Sequence, residues 1–174
     1  WAARLGAAWG LLRDAVPGAA AEAAAALTVL TPVRGTEPAV GRHGYGALGV
    51  PLEGEPEALA RALLTGFRRA RLRALLDVAD LYAMDGGWLR RAPWGGARLP
   101  VSALLAGAYE RAGLAAYEAG RGGGGGYREQ AERALDLLEG AAELTTGGKL
   151  FAEGVRKELH GMRGVSNGVR TVAG

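Results

Sequence analysis

The chain has 174 residues, 49% of them apolar, enough for one ordinary globular domain with a real core. It contains no cysteine, which excludes disulfides and thiolate metal sites and fits a reducing, cytoplasmic setting. A formal charge of +3 is carried almost wholly by arginine, with no apolar run of membrane-spanning length and no basic stripe interleaved with aromatics, so neither a membrane nor a nucleic-acid partner is expected.

Trp1 to Asp14 places Leu5, Trp9 and Leu12 at helical spacing, with Arg4 and Arg13 turned outward. Val16-Pro-Gly18 breaks that helix, and Ala19 to Ala26 reads as a short alanine-rich one. Leu27 to Val33 is a β-branched run ending near Pro32 and is predicted as a strand. Residues 34–41 read as a loop, and Tyr45 to Leu52 as a second strand, paired antiparallel with the first. Glu55-Pro-Glu57 then opens a long helix: proline suits the first helical turn, and the glutamates complement its positive end. Leu59, Leu63, Phe67, Leu72, Leu75, Leu76 and Ala79 form its apolar stripe, and Arg61, Thr65, Arg69 and Arg73 line another face at four-residue intervals.

Residues 83–99, with Asp85-Gly-Gly87 and Pro93, read as a loop. Val101 to Glu118 is a helix, capped by Ser102 or begun directly after Pro100. Residues 120–126 are a flexible glycine tract, and no lysine-serine pattern follows to make it a phosphate loop. Tyr127 to Glu143 is amphipathic through Ala131, Leu135 and Leu138. A Thr145-Thr-Gly-Gly148 turn leads to a last helix from Lys149 to Leu159. The expected fold is α+β and mostly α, a long central helix with surrounding helices and a small β-pair. Residues 1–160 form the single domain and residues 161–174 a frayed tail. Because the sequence opens on Trp1 rather than methionine, it is expected to be part of a longer product.

Within the long helix, Leu63-Leu-Thr-Gly-Phe-Arg-Arg-Ala-Arg-Leu-Arg-Ala-Leu-Leu-Asp77 resembles the signature helix of the HExxH-type peptide β-hydroxylases, proteins of bacterial gene clusters for ribosomally made peptides. The family helix reads roughly Leu-Val-His-Glu-Phe-Gln-His-(Ser/Ala)-Lys-Leu-x-Ala-Leu-Leu-Asp. Other landmarks follow in order. Residues 27–33 and 41–52 are similar to two family strands, and Ala92-Pro-Trp-Gly-Gly-Ala-Arg-Leu-Pro100 to its Ala-Pro-Trp loop. Residues 103–114 are similar to its Gly-Leu-Leu-x-Gly-x-Tyr helix, and residues 144–156 to its Leu-Thr-x-x-Gly-x-x-Phe close. The resemblance implies an iron- and 2-oxoglutarate-dependent ancestry.

The departures fall where the chemistry would be: Thr65, Gly66 and Arg69 replace His, Glu and His, Arg111 stands where the family has a further histidine, and Gly95 replaces an arginine. Two imidazoles at i and i+4 can close on one metal ion, whereas threonine is a poor ligand and arginine stays protonated and repels a cation. No catalytic or metal-binding residues are therefore assigned, and no cofactor is expected. Clustered loss of this kind points to a lineage that abandoned the metal.

The expected function is a non-catalytic relative that binds a precursor peptide or a peptide-modifying enzyme. Arg61, Arg68, Arg73 and Trp94 are its candidate substrate-binding residues, with Arg69 on the same basic helix. Arg98 is a candidate for holding a carboxylate, of 2-oxoglutarate or of an acidic peptide, by a bidentate contact. On the plainer account Trp94 plugs the core and Arg98 makes a structural hydrogen bond. Asp77 is expected to pair with Arg73, and His43 and His160 to be surface or loop residues. If Arg69 and Arg111 shared the former metal pocket, an acid such as Asp77, Asp80 or Glu110, or a bound anion, would have to separate them, or the arginines would swing out to solvent. Two alternatives stand beside this reading. One is an active peptide hydroxylase drawing ligands from His43 with Asp77 or Asp80. The other is a helical protein-interaction domain unrelated to peptide modification. The sequence carries no signal of oligomeric state.

Overall fold

The computed structural model describes residues 1–41, 45–83, 89–96 and 98–166, with side chains through Gly161. The fold is α+β and mostly α, as expected, and its contacts fall into two compact units, Trp1–Val78 and Ala79–Gly174.

In the first unit, helix α1 (Ala2–Ala15) buries Ala8, Leu12 and Ala15, and helix α2 (Pro17–Ala26) starts two residues later. Val16 terminates one and opens the other: Pro17 at the first turn has no N–H to donate and cannot continue α1. Arg4 is not turned out to solvent. Its guanidinium donates to the carbonyls of Gly54 (3.1 Å) and Leu52 (3.2 Å), while the Trp1 indole donates to Pro51 O at 3.0 Å.

The small sheet differs from the expected antiparallel pair. Strands β1 (Val29–Val33) and β3 (Ala47–Pro51) run parallel, from Val29 opposite Ala47 to Val33 opposite Pro51. A third strand, β2 (Ala39–Val40), lies inside the predicted loop and pairs antiparallel with β3, giving the order β1-β3-β2. The chain reverses once after β1 and again after β2, so β3 enters between two strands already laid down. Apolar alternation specifies which face a strand buries but not its direction, and a two-residue strand is too short to show alternation at all.

Helix α3 (Pro56–Leu76) covers the sheet. Its 21 residues span about 31 Å. Leu59, Leu63, Phe67 and Leu72 are buried as the stripe requires, and the helix stops at Leu76, with the Asp77 N–H bonded to Arg73 O at 3.2 Å.

Among the described residues the second unit holds a two-stranded ribbon and three helices. The ribbon, β4 (Arg90–Arg91) with β5 (Arg98–Leu99), occupies the end of the predicted loop, again in strands too short to read from periodicity. Helix α4 (Val101–Gly120) begins directly after Pro100 with no side-chain cap, so Ser102 does not serve as one. It packs against α5 (Gly126–Leu138) and α6 (Thr146–Ser166). The tail is thus not frayed from Gly161: helix α6 runs on to Ser166, and residues 167–174 lie outside the described residues.

Residues 145–148 are the cap and first turn of α6 rather than a separate turn. Thr145 Oγ1 accepts from the Gly148 N–H at 3.0 Å, which satisfies one of the orphan donors at the helix start, and donates to Asp80 O at 2.6 Å. Gly148 lies so close to the chain at Leu81 that a Cβ would overlap its carbonyl oxygen. Next to this contact, Tyr82 bridges Leu144, and Tyr109 of α4 meets Phe151 of α6 edge-on at 5.1 Å between ring centroids. Among the described residues no helix is long and apolar enough to cross a membrane.

Candidate functional site

The three signature-helix positions all lie in α3. Thr65 is 9% exposed, and Gly66 is buried beneath the sheet. A Cβ on Gly66 would stand 2.5 Å from Leu48 Cδ1 of β3 and 2.9 Å from Pro38 Cβ. The helix therefore presses its bare backbone onto the strand at the one position where a glutamate would have to project. Arg69 turns toward the segment between β1 and β2, where its Nη1 lies 3.3 Å from Glu37 Oε2. Among the described residues the acid placed against it is Glu37, which was not among the acids considered for it.

The basic face expected along α3 is not one surface. Arg61 pairs with Glu57 one turn earlier at 3.3 Å, and Arg71 pairs with Glu22 of α2 while stacking over Phe67 at 5.9 Å. Arg68 is 7% exposed and cannot meet a ligand from solvent. Arg73 is exposed, and among the described residues it makes no ion pair, with Asp77 or any other acid. Of the arginines first grouped on this helix, Arg73 alone remains available to an acidic partner.

The other predicted positions belong to the second unit, where Trp94, Gly107 and Arg111 form one stack. Trp94 follows the ribbon's first strand, with the Gly95 N–H returning to Ala92 O at 3.1 Å. Its indole rests against α4 because position 107 has no side chain; a Cβ there would fall 2.6 Å from Trp94 Cζ2. The Arg111 guanidinium covers the ring at 3.5 Å from its centroid, a cation–π contact. It is held there by Gln130 Oε1 at 3.0 Å and by Gly107 O at 3.3 Å. Trp94 is half-buried, between the core plug and the open binding residue that the sequence allowed. Arg98 is exposed on β5, and the structural hydrogen bond considered for it is absent among the described residues.

A cavity of about 320 Å³ opens between α5 and α6, floored by Leu135, Leu138, Leu144 and Ala152 and rimmed by Lys149 and Glu153. His160 is exposed, and His43 and Asp85 lie outside the described residues. Among the described residues no three His, Asp or Glu side chains converge as a metal site. Sequence reasoning missed Gly107, Arg91 and the cavity. Two signals pointed to Gly107: it matches the second glycine of the Gly-Leu-Leu-x-Gly-x-Tyr pattern, and its place four residues before Arg111 puts both on the same helix face.

No family model matches the chain, and no curated protein matches it.

Proposed function

We propose that the chain is a non-catalytic relative of the HExxH-type peptide β-hydroxylases that binds, in the cytoplasm, a precursor peptide or the enzyme that modifies it. The observation that carries this reading is the packing of Gly66 on Leu48 and Pro38. A glutamate at that position has no room, and the flanking positions hold a buried threonine and an arginine paired with Glu37. These residues do not fit the iron and 2-oxoglutarate that the resemblance implies, so no catalytic step is derived through either. Loss of chemistry leaves room for retained binding, because recognition and catalysis use different residues. The apolar cavity between α5 and α6 supplies a seat for a peptide side chain, with Lys149 at its rim.

Titration with a candidate precursor peptide of the ribosomally made class, at modest salt, tests this directly. Saturable binding at roughly micromolar affinity is expected, with no peptide-dependent succinate after reconstitution with ferrous iron and 2-oxoglutarate. Stoichiometric iron together with succinate release would establish the active hydroxylase instead. Failure to bind either the peptide or its modifying enzyme would favour an interaction domain unrelated to peptide modification.

A further inference from the structure

The ribbon places two arginines side by side on neighbouring strands. Arg91 and Arg98 are direct cross-strand partners, so they share one face of the ribbon with Cβ atoms about 5 Å apart. The opposite face carries Arg90 and Leu99, and Arg90 Nε donates to Leu137 O at 2.9 Å, which fastens that face to the C-terminal end of α5. Arg91 and Arg98 are both exposed, and among the described residues neither has a carboxylate partner. By contrast, Arg68 is buried, Arg61, Arg69 and Arg71 are paired with glutamates, and Arg111 is stacked on a ring.

Like charges directly opposite one another weaken a ribbon, and here the ribbon is only two residues long on each side. Two planar guanidinium forks on one face, on a ribbon held from behind by Arg90, offer paired N–H donors to a single bridging anion. Carboxylates and phosphates fit that geometry, and binding one removes the repulsion.

We propose that Arg91 and Arg98 form a clamp for a carboxylate borne by a peptide. Naming a peptide as the carrier rests on the function proposed above; the clamp itself rests on the ribbon. The preference for a carboxylate over a phosphate follows from that same reading, in which the ligand is an unmodified acidic segment.

The test uses two blocked five-residue peptides, Gly-Glu-Gly-Glu-Gly and Gly-Gln-Gly-Gln-Gly, and inorganic phosphate as a third probe. They are titrated by calorimetry at low salt into the wild-type chain and into R91Q, R98Q, R91Q/R98Q and R73Q. The glutamate peptide is expected to bind about 10-fold more tightly than the glutamine peptide, each single variant losing roughly 3-fold and the double variant the whole preference. R73Q, which removes the same charge from an exposed site on α3, is expected to stay within about 2-fold of wild type. Melting of the double variant at the wild-type temperature would show that it folds, and melting above it that repulsion was relieved. If it does not fold, the two single variants read the same effect.

Losses in R73Q as large as those in R91Q and R98Q, each of which removes one charge, would reduce the effect to net charge and overturn the clamp, as would equal binding of the two peptides. Phosphate binding more tightly than the glutamate peptide would overturn the carboxylate assignment. A precursor peptide held equally by wild type and the double variant would overturn the clamp and leave the peptide-binding function standing. Selective glutamate-peptide binding without any precursor peptide binding would do the reverse.

Discussion

Replacing Gly66 with alanine separates two effects that normally come together. In an open helix interior the change stabilises by about 1 kcal/mol, because alanine loses less backbone freedom on folding. Gly10 of α1 supplies that reference within the same unit, since a Cβ there meets nothing within 4 Å. At Gly66 the new methyl stands 2.5 Å from Leu48 Cδ1 and 2.9 Å from Pro38 Cβ. Leu48 is 1% exposed, and the Pro38 ring is rigid, so neither neighbour can move away freely. Overpacking of this kind costs roughly 1–3 kcal/mol. G66A is therefore expected to lie about 2 kcal/mol below G10A in urea unfolding followed by circular dichroism, with an unchanged denaturant slope. Trimming the neighbour supplies a cycle: in an L48A background the penalty at position 66 should shrink to what the 2.9 Å approach to Pro38 Cβ still costs, because the added methyl enters the space that Leu48 vacates. G66E adds a carboxylate with no partner in the same gap and is expected to unfold the unit. A variant carrying T65H, G66E, R69H and R111H would then fail by misfolding rather than regain a metal. Were G66A to stabilise the chain as much as G10A does, the close approach of α3 to β3 would be wrong. The structural argument against a glutamate at this position would go with it.

Two further outcomes test the second unit. G148A should cost about 3 kcal/mol, because relieving the overlap with Leu81 sacrifices the bonds from Thr145 to Leu81 O and Asp80 O, each worth about 1 kcal/mol, and loosens the buried Leu81; a loss no greater than 1 kcal/mol in the same assay would refute that contact. G107V should lift Trp94 off α4, with a red-shifted tryptophan emission and a stability loss of roughly 2 kcal/mol, and R111A should give a smaller shift; emission unchanged in G107V would show that the indole does not rest on that backbone.

The residues that made the helices legible are those whose effect is local. Glu55, Pro56 and Glu57 announce α3, and Leu59, Leu63 and Phe67 give its buried side, because helical periodicity and end effects act within a few residues. Strand direction was not legible, since Val29–Val33 and Ala47–Pro51 carry the same pattern whether parallel or antiparallel. The short strands Ala39–Val40, Arg90–Arg91 and Arg98–Leu99 left no period to find. At the site, the loss of ligand chemistry at Thr65, Gly66 and Arg69 could be read from residue type alone. Which acid answers Arg69 could not, because Glu37 comes from 32 residues away, across two strands. The contact between Trp94 and Arg111 was hidden for the same reason, and Gly107 marks it only after the fold is known.

The ties from Trp1 and Arg4 to Pro51, Leu52 and Gly54 also set a schedule for synthesis. Helix α1 is made before its partners: the carbonyls that hold its beginning and the helix that covers its apolar side come some 50 residues later. At about 5–20 residues per second, that separation keeps the nascent α1 waiting for roughly 3–10 s. Throughout that interval Leu12 and its neighbours face solvent or whatever binds them on the ribosome. A pause between Gly54 and the end of α3 would lengthen the exposure, and slow codons placed there should raise aggregation of the nascent chain without altering the finished protein.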